Sequence, residues 1–190
     1  IFVLLAPALL SPESLKVPEQ EIQTLESLGR KVNNVTADAN RVFEDLFVST
    51  GLVQASHQLF KSPFKEKTQP EGAVNAANLN NRYVEGFWHL IYRAVWRFMG
   101  LWPVLSVLLL AIVLPALVDG IAIRGRKLDQ FKPHNPVFFW ASAHSAISVS
   151  GVFFVLPLLP IPISVLMLYG AVGVVAAALW VTASNLQTGT

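Results

Sequence analysis

The sequence predicts an all-α membrane protein with about four transmembrane helices, the first of them truncated, and a long extracytoplasmic amphipathic helix. Residues 98–118 and residues 137–190 contain no Asp, Glu, Lys or Arg. Apolar residues make up 53% of the chain and charged residues only 14%, whereas about 25% charged is usual for a soluble domain. About 20 apolar residues suffice to cross a bilayer as a helix. These observations exclude an ordinary water-soluble domain.

The first ten residues, IFVLLAPALL, are apolar and correspond to about 15 Å of helix, half of a hydrocarbon core of about 30 Å. We interpret residues 1–10 as the end of a first transmembrane helix. A cleaved signal peptide is the alternative, because Ala6, Pro7 and Ala8 resemble a small-residue cleavage site. Both interpretations place residue 11 onward outside the cytoplasm.

Residues 18–50 carry apolar side chains at spacings of three and four, the period of one helical face. Glu19 and Glu21 would lie in the first turn, and Gly51 follows the expected end. The pattern predicts one amphipathic helix of roughly 30 residues, whose apolar face packs on a second amphipathic segment near Leu59 or on another copy of the chain.

Residues 68–81, TQPEGAVNAANLNN, are rich in Asn and contain Pro70 and Gly72. Such a composition is typical of irregular connections, so the segment predicts a mobile loop. Residues 11–82 as a whole are therefore predicted to form an extracytoplasmic helical region.

The helical period resumes at Tyr83, and residues 83–118 are predicted to form an interfacial helix that continues into a transmembrane helix. Trp and Tyr residues cover much of its first part, which is typical at the level of lipid headgroups. A polar face consists of residues four apart: Glu85, His89, Arg93 and Arg97. We expect Arg93 and Arg97 to contact lipid phosphates or another subunit, and helical salt bridges on a solvated face are the alternative.

Residues 119–136 are predicted to form a basic loop between the second and third spans. The loop holds four cations and two anions, while residues 11–97 hold ten of each, so the loop carries the entire net charge of +2. Because Lys and Arg are retained on the cytoplasmic side, the loop predicts a cytoplasmic location. The cations are also candidates for contact with anionic lipid or an acidic protein partner: Arg124, Arg126, Lys127 and Lys132.

Residues 137–184 predict a transmembrane helical hairpin, closed by the charge-free turn PLLPIP at residues 157–162. Residues 185–190 would then form a cytoplasmic tail. Small residues recur in both helices, and small residues let helix backbones approach each other in lipid. The residues predicted to mediate helix packing are Ser142, Ser145, Ser148, Gly151, Gly170 and Gly173.

The residue pattern does not predict catalysis, a metal site or a cofactor. The chain has no cysteine, and its four histidines include no close pair. Ser142 and Ser145 lie too close to His144 in sequence to face its ring as a nucleophile, and the span supplies no carboxylate to orient the imidazole. We therefore predict that the protein is not an enzyme. The small net charge also argues against a nucleic-acid channel.

The segment VDGIAIRGRK at residues 118–127, followed by PVFFWASAHS at residues 136–145, resembles a family of inner-membrane proteins of integrating conjugative elements and conjugative plasmids. The likeness extends over residues 83–186. Its most specific part consists of four residues placed directly after a span: Asp119, Gly120, Arg124 and Arg126. The resemblance implies an inner-membrane component of conjugative DNA transfer, accessory to the coupling ATPase of a type IV secretion system.

The residue pattern predicts a non-enzymatic inner-membrane scaffold that is present as a homo-oligomer. The resemblance implies that it is a scaffold or accessory subunit of a conjugative DNA-transfer apparatus and partners the coupling ATPase. Direct sequence-specific binding of nucleic acid is not predicted. The alternative is a small oligomeric transporter or channel whose pore is lined by the serine face of the third span. A hydrated pathway around Ser142, Ser145 and Ser148 would favour the channel, and their burial against the fourth span would favour the scaffold.

Overall fold

The computed structural model describes residues 2–60 and 71–186, and this part of the chain consists of helices and turns without a β-strand. The all-α fold class is thereby confirmed. Within the same residues, three helices are long and apolar enough to cross a membrane: Leu79–Asp129, Pro136–Leu158 and Val165–Ser184. The α-helices are α1 Phe2–Leu9, α2 Glu19–Ser27, α3 Val32–Phe43, α4 Leu52–Phe60, α5 Glu71–Leu108, α6 Leu114–Asp129, α7 Pro136–Val155 and α8 Val165–Ser184.

The chain divides into two compact units. Unit 1 combines the described residues of Ile1–Leu101 with the turn Pro157–Pro162, and unit 2 combines Trp102–Leu156 with the described residues of Ile163–Thr190. Each unit contains pieces of chain that are far apart in sequence. Neither unit can therefore be completed by local folding alone.

The helix α1 lies in the segment predicted to end a first transmembrane helix. It has eight residues, about 12 Å of helix, and its Ala6 is buried in a small apolar cluster of unit 1 with Leu15 and Leu90. The described residues thus contain three candidate spans where the sequence predicts about four. A truncated first span at residues 1–10 stays a prediction.

The prediction of a single long helix over residues 18–50 is wrong, because the structure divides this segment between α2 and α3. The break lies at Gly29, whose φ of 74° is readily accessible only to glycine. The N–H groups of Gly29 and Arg30 donate to the carbonyl groups of Glu26 and Leu25 at 2.9 and 3.0 Å, which closes a Schellman motif. The apolar spacing continues across this turn, which explains why periodicity alone predicted one helix.

The helix α5 begins at Glu71, so the loop predicted over residues 68–81 is wrong from residue 71 onward. Residues 68–70 lie outside the described residues. Asn and Gly lower helix propensity by about 1 kcal/mol or less per residue. Extension of an existing helix adds one hydrogen bond per residue without a new nucleus, and this outweighs the low propensity of the segment.

A continuous helix replaces much of the predicted basic loop. It begins as α5, continues through a π-helical segment, Leu109–Val113, into α6, and ends at Asp129. The loop predicted over residues 119–136 is therefore helical up to Asp129, and only residues 130–135 connect α6 to α7. The π-helical segment ends two residues before Pro115, which lacks the N–H group that regular helical bonding would use.

In unit 2, α8 packs against α6, α7 and the π-helical segment. Gly120 allows a close approach of α6 and α8: a Cβ atom placed on it would lie 2.7 Å from the Trp180 carbonyl oxygen and 2.8 Å from the Ala183 Cβ atom. This glycine, which the sequence places at the end of the second span, instead has a packing role inside α6. Helix packing therefore explains why the chain stays helical beyond residue 120.

The helices α7 and α8 form a helical hairpin, joined by the 3₁₀ turn Leu156–Leu158 and the residues that follow it. Asn135 caps α7, because its side-chain oxygen accepts hydrogen bonds from the N–H groups of Val137 and Phe138 at 3.0 and 3.3 Å. Ser164 caps α8 in the same manner. Each helix of the hairpin thus has a defined beginning in the sequence.

Substitution of Gly120 by Ala is expected to lower the free energy of unfolding by about 1–3 kcal/mol, because the added methyl group overpacks the contact between α6 and α8. Gly125→Ala in the same helix is the matched control, since a Cβ atom at Gly125 meets nothing within 4 Å. The control is expected to stabilise the protein by up to about 1 kcal/mol through helix propensity. Thermal unfolding of the purified variants in detergent measures both, and equal effects of the two substitutions would contradict the packing role.

Candidate functional site

The guanidinium group of Arg97, in α5, donates hydrogen bonds to a carboxylate and to three backbone carbonyl groups of unit 1. Its Nε and Nη2 atoms donate to the two carboxylate oxygens of Glu21, the Nε bond being 3.0 Å long. Nη1 donates to the carbonyl oxygens of Pro157 and Leu159 at 2.9 and 2.6 Å, and Nη2 donates to that of Ile161 at 2.6 Å. All five N–H donors of the guanidinium are thereby used.

The turn that Arg97 binds is rich in hydrogen-bond acceptors and poor in donors. Residues 157–162 read PLLPIP, and the three prolines have no backbone N–H group. Carbonyl groups at alternate positions of this turn converge on one guanidinium. The planar guanidinium suits this task, because it presents five donors in a fixed geometry and accepts no hydrogen bond.

Glu21 is an anion shared by two arginines. It lies in the first turn of α2, where the helix dipole favours negative charge. Arg93, one turn before Arg97 on α5, donates from Nη2 to Oε1 of Glu21 at 2.6 Å. The three side chains are 1–3% exposed. We call these three residues, together with the turn Pro157–Pro162, the arginine clamp.

Burial of charged groups destabilises a protein unless each charge is paired and hydrogen-bonded. The clamp holds two cations and one anion, and the carbonyl dipoles of the turn add negative potential. Burial by itself would raise the pKa of Glu21, but hydrogen bonds from Arg97 and Arg93 outweigh it and hold the pKa below its ordinary value of 4.5. The clamp therefore stabilises unit 1 while Glu21 is ionised, and its protonation would leave two buried cations together.

The structure contradicts the prediction that Arg93 and Arg97 contact lipid phosphates or another subunit, because both are buried inside unit 1. The polar face predicted on α5 is also divided: Glu85 is exposed, whereas Nδ1 of His89 lies 3.2 Å from the Pro12 carbonyl oxygen. A spacing of four identifies residues that share a helical face, but it does not reveal what covers that face. The carboxylate that covers it lies 72 residues from Arg93.

Three aromatic side chains of α5 make hydrogen bonds within unit 1, and their position at the level of lipid headgroups stays a prediction. Trp88, Tyr92 and Trp96 are four residues apart, and each donates a hydrogen bond to a polar side chain of α3 or α4. The respective acceptors are Ser56 at 2.8 Å, Asn40 at 2.7 Å and Thr36 at 3.1 Å. Tyr92 bonds to Asn40, and the later Trp96 bonds to the earlier Thr36. The helix α3 therefore runs antiparallel to this part of α5.

The four cations predicted to contact a partner or lipid differ in their exposure. Arg124 is buried, one turn after Gly120 on α6, and Lys127 is half-buried. Arg126 and Lys132 are exposed. Of the four, Arg126 and Lys132 are therefore the ones that present most of their surface outside the chain.

The end of α8 is held by side chains that the sequence analysis did not identify. Lys127 Nζ donates to the Ser184 carbonyl oxygen at 3.0 Å and lies 3.4 Å from Oδ1 of Asn185, so a cation complements the negative end of the helix dipole. Trp180 Nε1 donates to Oδ2 of Asp119 at 2.7 Å. The sequence signal available for Asn185 was its place just after a charge-free helix, where Asn is a common cap.

Of the six residues predicted to mediate helix packing, Ser142 makes a described contact between helices: its Oγ lies 2.8 Å from Oγ1 of Thr182 in α8. The other five are exposed, and a Cβ atom added to any of the three glycines would meet nothing within 4 Å. Their role in helix packing stays a prediction. These five residues are Ser145, Ser148, Gly151, Gly170 and Gly173.

Glu21→Gln is expected to lower the free energy of unfolding of unit 1 by about 3–5 kcal/mol, because it leaves two buried cations without an anion. The pKa of Glu21 is depressed in the folded state, so its contribution is present above the ordinary value of 4.5 and is lost as the pH falls through the folded value. Denaturant unfolding followed by tryptophan fluorescence between pH 7 and acid measures both effects.

The control for this substitution is Glu19→Gln, which removes an exposed carboxylate from the same turn of α2. It is expected to change stability by less than about 0.5 kcal/mol. The Glu21→Gln variant is expected to lose less stability than the wild type on acidification. An unchanged acid dependence in that variant would contradict the role assigned to Glu21.

Comparison with known proteins yields one family. A family model described as "IncC plasmid conjugative DNA transfer protein DtrJ-like" matches residues 4–187. No curated protein and no solved structure matches the chain. The match confirms the resemblance to conjugative proteins and extends it to residues before Tyr83, over which the sequence analysis found no likeness.

Proposed function

The chain belongs to the DtrJ-like family of conjugative DNA transfer proteins, and we propose that it acts in conjugation as a non-enzymatic inner-membrane scaffold or accessory subunit. In this proposal it belongs to a type IV secretion apparatus and partners the coupling ATPase. Family membership supports the role in DNA transfer. The contacts of the described residues support the scaffold.

The arginine clamp is the observation that carries the scaffold role. Its three charged side chains are buried, and each N–H donor of Arg97 is bonded to protein. A charged group that acts on a substrate must be reachable by that substrate. Buried networks of this kind instead make a core rigid and specify one arrangement. Such a rigid helical body suits a subunit that positions other proteins.

We place residues 11–82 in the periplasm and the connection between α6 and α7, together with the C-terminus, in the cytoplasm of a multi-pass inner-membrane protein. The cations at residues 124–132 support this orientation, because Lys and Arg are retained on the cytoplasmic side. The contacts of Arg97 support this orientation as well. They bring the turn Pro157–Pro162 together with Glu21, so the turn would lie on the same periplasmic side as residues 11–82. The hydrogen bond from Lys127 to the Ser184 carbonyl group joins the ends of α6 and α8, which fits the placement of both ends on the cytoplasmic side.

We assign Arg126 to the contact with the acidic partner. It is exposed on α6, whereas Arg124 on the same helix is buried and Lys127 caps α8. Charged groups at the edge of an interface steer association and select the partner. The ordered helix beneath Arg126 gives this cation a fixed position, which a flexible loop would not.

Self-association through the outer faces of α7 and α8 is a second part of the proposal. Ser145 and Ser148 on α7 and Gly170 and Gly173 on α8 are exposed in the single chain, and small residues allow close packing of helices in lipid.

The alternative function is a channel lined by the serine face of α7, and it relies on the same exposed serines. The contact of Ser142 with Thr182 favours packing, and solute flux through liposomes that contain the purified chain would favour the channel.

Arg126→Glu is expected to reduce by about tenfold the coupling ATPase that co-purifies with the chain from donor-cell membranes, since repulsion in place of attraction costs about 1.4 kcal/mol or more at a contact. Conjugation frequency, counted as transconjugants per donor cell, is expected to fall in parallel. Abundance and topology of the variant are followed with a reporter fused to the C-terminus. Three of the four cations of the region remain, so the orientation is expected to persist.

Arg82→Glu is the matched control, because it reverses an exposed charge on α5, on the periplasmic side in this proposal. It is expected to leave both the recovery of the ATPase and the conjugation frequency unchanged. Normal recovery and transfer with Arg126→Glu would exclude Arg126 from the contact. Absence of the coupling ATPase from the wild-type preparation would contradict the partner itself.

A further inference from the structure

The helix α6 ends in an unusual backbone conformation at Phe131, whose φ is 53°. The N–H groups of Phe131 and Lys132 donate to the carbonyl groups of Leu128 and Lys127 at 2.9 and 2.8 Å, which is a Schellman motif. The same motif ends α2, but there the left-handed position is occupied by Gly29. Glycine adopts this conformation without strain, whereas the Cβ atom of an aromatic residue is crowded in it. Phe131 is therefore an unfavourable residue for its own backbone.

The side chain of Phe131 is also unfavourably placed in the isolated chain. It is 95% exposed, the largest exposed fraction among the large apolar side chains that the structure describes. A strained backbone and an exposed ring mean that Phe131 does not stabilise the folded chain. Strained residues of this kind concentrate at places where the protein contacts something else. The position thus indicates an external contact for the ring.

The surroundings of Phe131 indicate a lipid surface. The residue lies two positions after the candidate span Leu79–Asp129 and five positions before the candidate span Pro136–Leu158, so the turn is at the level where both helices leave the hydrocarbon core. Exposed cations lie on both sides of it, at Arg126 and Lys132, and the exposed acid nearby is Asp129. Aromatic side chains and adjacent cations together are typical of segments that bind the interface of an anionic bilayer.

We propose that the turn of residues 130–135, QFKPHN, is an interfacial lipid anchor. The ring of Phe131 enters the boundary between headgroups and acyl chains, while the exposed Lys132 pairs with the phosphates of anionic phospholipids. Burial of the ring in lipid offsets the strain of the left-handed backbone. Lys127 is held at the Ser184 carbonyl oxygen within unit 2, so the anchor consists of the turn itself. The proposal requires only a membrane and does not rest on the role in conjugation.

The absence of cysteine from the sequence allows one fluorophore to be placed at a chosen position. Phe131→Cys is labelled with a polarity-sensitive fluorophore, and the full chain is reconstituted in nanodiscs of phosphatidylcholine with or without phosphatidylglycerol. Phosphatidylglycerol is expected to shift the emission to shorter wavelength and to protect the label from iodide. A spin label on the lipid headgroup is expected to quench it. Ala37→Cys, exposed on α3, is the matched control and is expected to respond to neither lipid.

The contribution of charge is measured by combining the labelled variant with Lys132→Gln. The ratio of protected to unprotected label is expected to fall about fivefold, which corresponds to about 1 kcal/mol for one cation at an anionic surface. Equal iodide quenching in both kinds of nanodisc and in detergent would overturn the anchor. Protection that appears only on addition of another protein would overturn it too, because it would identify the turn as a protein-docking site.

Phe131→Gly provides a test without a label. Glycine relieves the strained backbone, so the thermal midpoint in lipid-free detergent is expected to rise. The wild type is expected to gain a further upward shift when phosphatidylglycerol is added, and the variant is expected to lose most of that gain. A variant that is more stable in detergent and equally stabilised by phosphatidylglycerol would show that the ring has no role at the lipid surface.

Discussion

The hydrogen-bonded pair of Glu21 and Arg97 is the interaction on which the arrangement of unit 1 depends. A buried guanidinium requires an anion, and Glu21 supplies one carboxylate to Arg97 and Arg93 at once. This fixes the start of α2 against α5. The apolar cluster of Leu25 and Val35 with residues of α3 and α5 then follows from that register. Apolar packing provides most of the stability of such a cluster, but the charges determine which faces meet.

The same residue type serves two different purposes in this chain. Arg97 neutralises a carboxylate inside unit 1, whereas Arg126 is exposed at the end of a candidate span. Both arginines contribute equally to a count of charges along the sequence. Their surroundings differ because Arg97 lies against α2, which supplies a carboxylate, whereas Arg126 is exposed on α6. A charge count along the sequence therefore does not reveal the contacts that each arginine makes.

Composition and hydropathy were sufficient to predict the helical class, the long apolar helices and the turn between the last two of them. These features depend on the transfer of apolar side chains out of water, which each segment expresses by itself. The helix bounds were less predictable. Gly29 ends a helix through a positive φ, while Gly120 lies inside one because α8 approaches it, and the two glycines look alike in a local pattern. Tertiary packing decides between such outcomes.

The arginine clamp lay beyond the reach of sequence patterns for a related reason. Arg93 and Arg97 were recognised as residues of one helical face, but Glu21 was recognised only as an acidic residue in the first turn of a helix. Their contact joins positions more than 70 residues apart, and no periodicity encodes such a distance. The turn of residues 157–162 could be predicted as a tight connection. Its function as a set of carbonyl ligands became apparent only with the guanidinium beside it.

The proline-rich turn has a consequence for the biosynthesis of the protein. Glu21 and Arg97 leave the ribosome before residues 157–162 do, so their ion pair can form while the last two helices are still being made. The guanidinium then still has donors that lack their carbonyl partners. Synthesis of the turn between α7 and α8 delivers those acceptors and completes the coordination of Arg97. The full coordination of Arg97 is thus coupled to the synthesis of a segment 60 to 64 residues further along the chain.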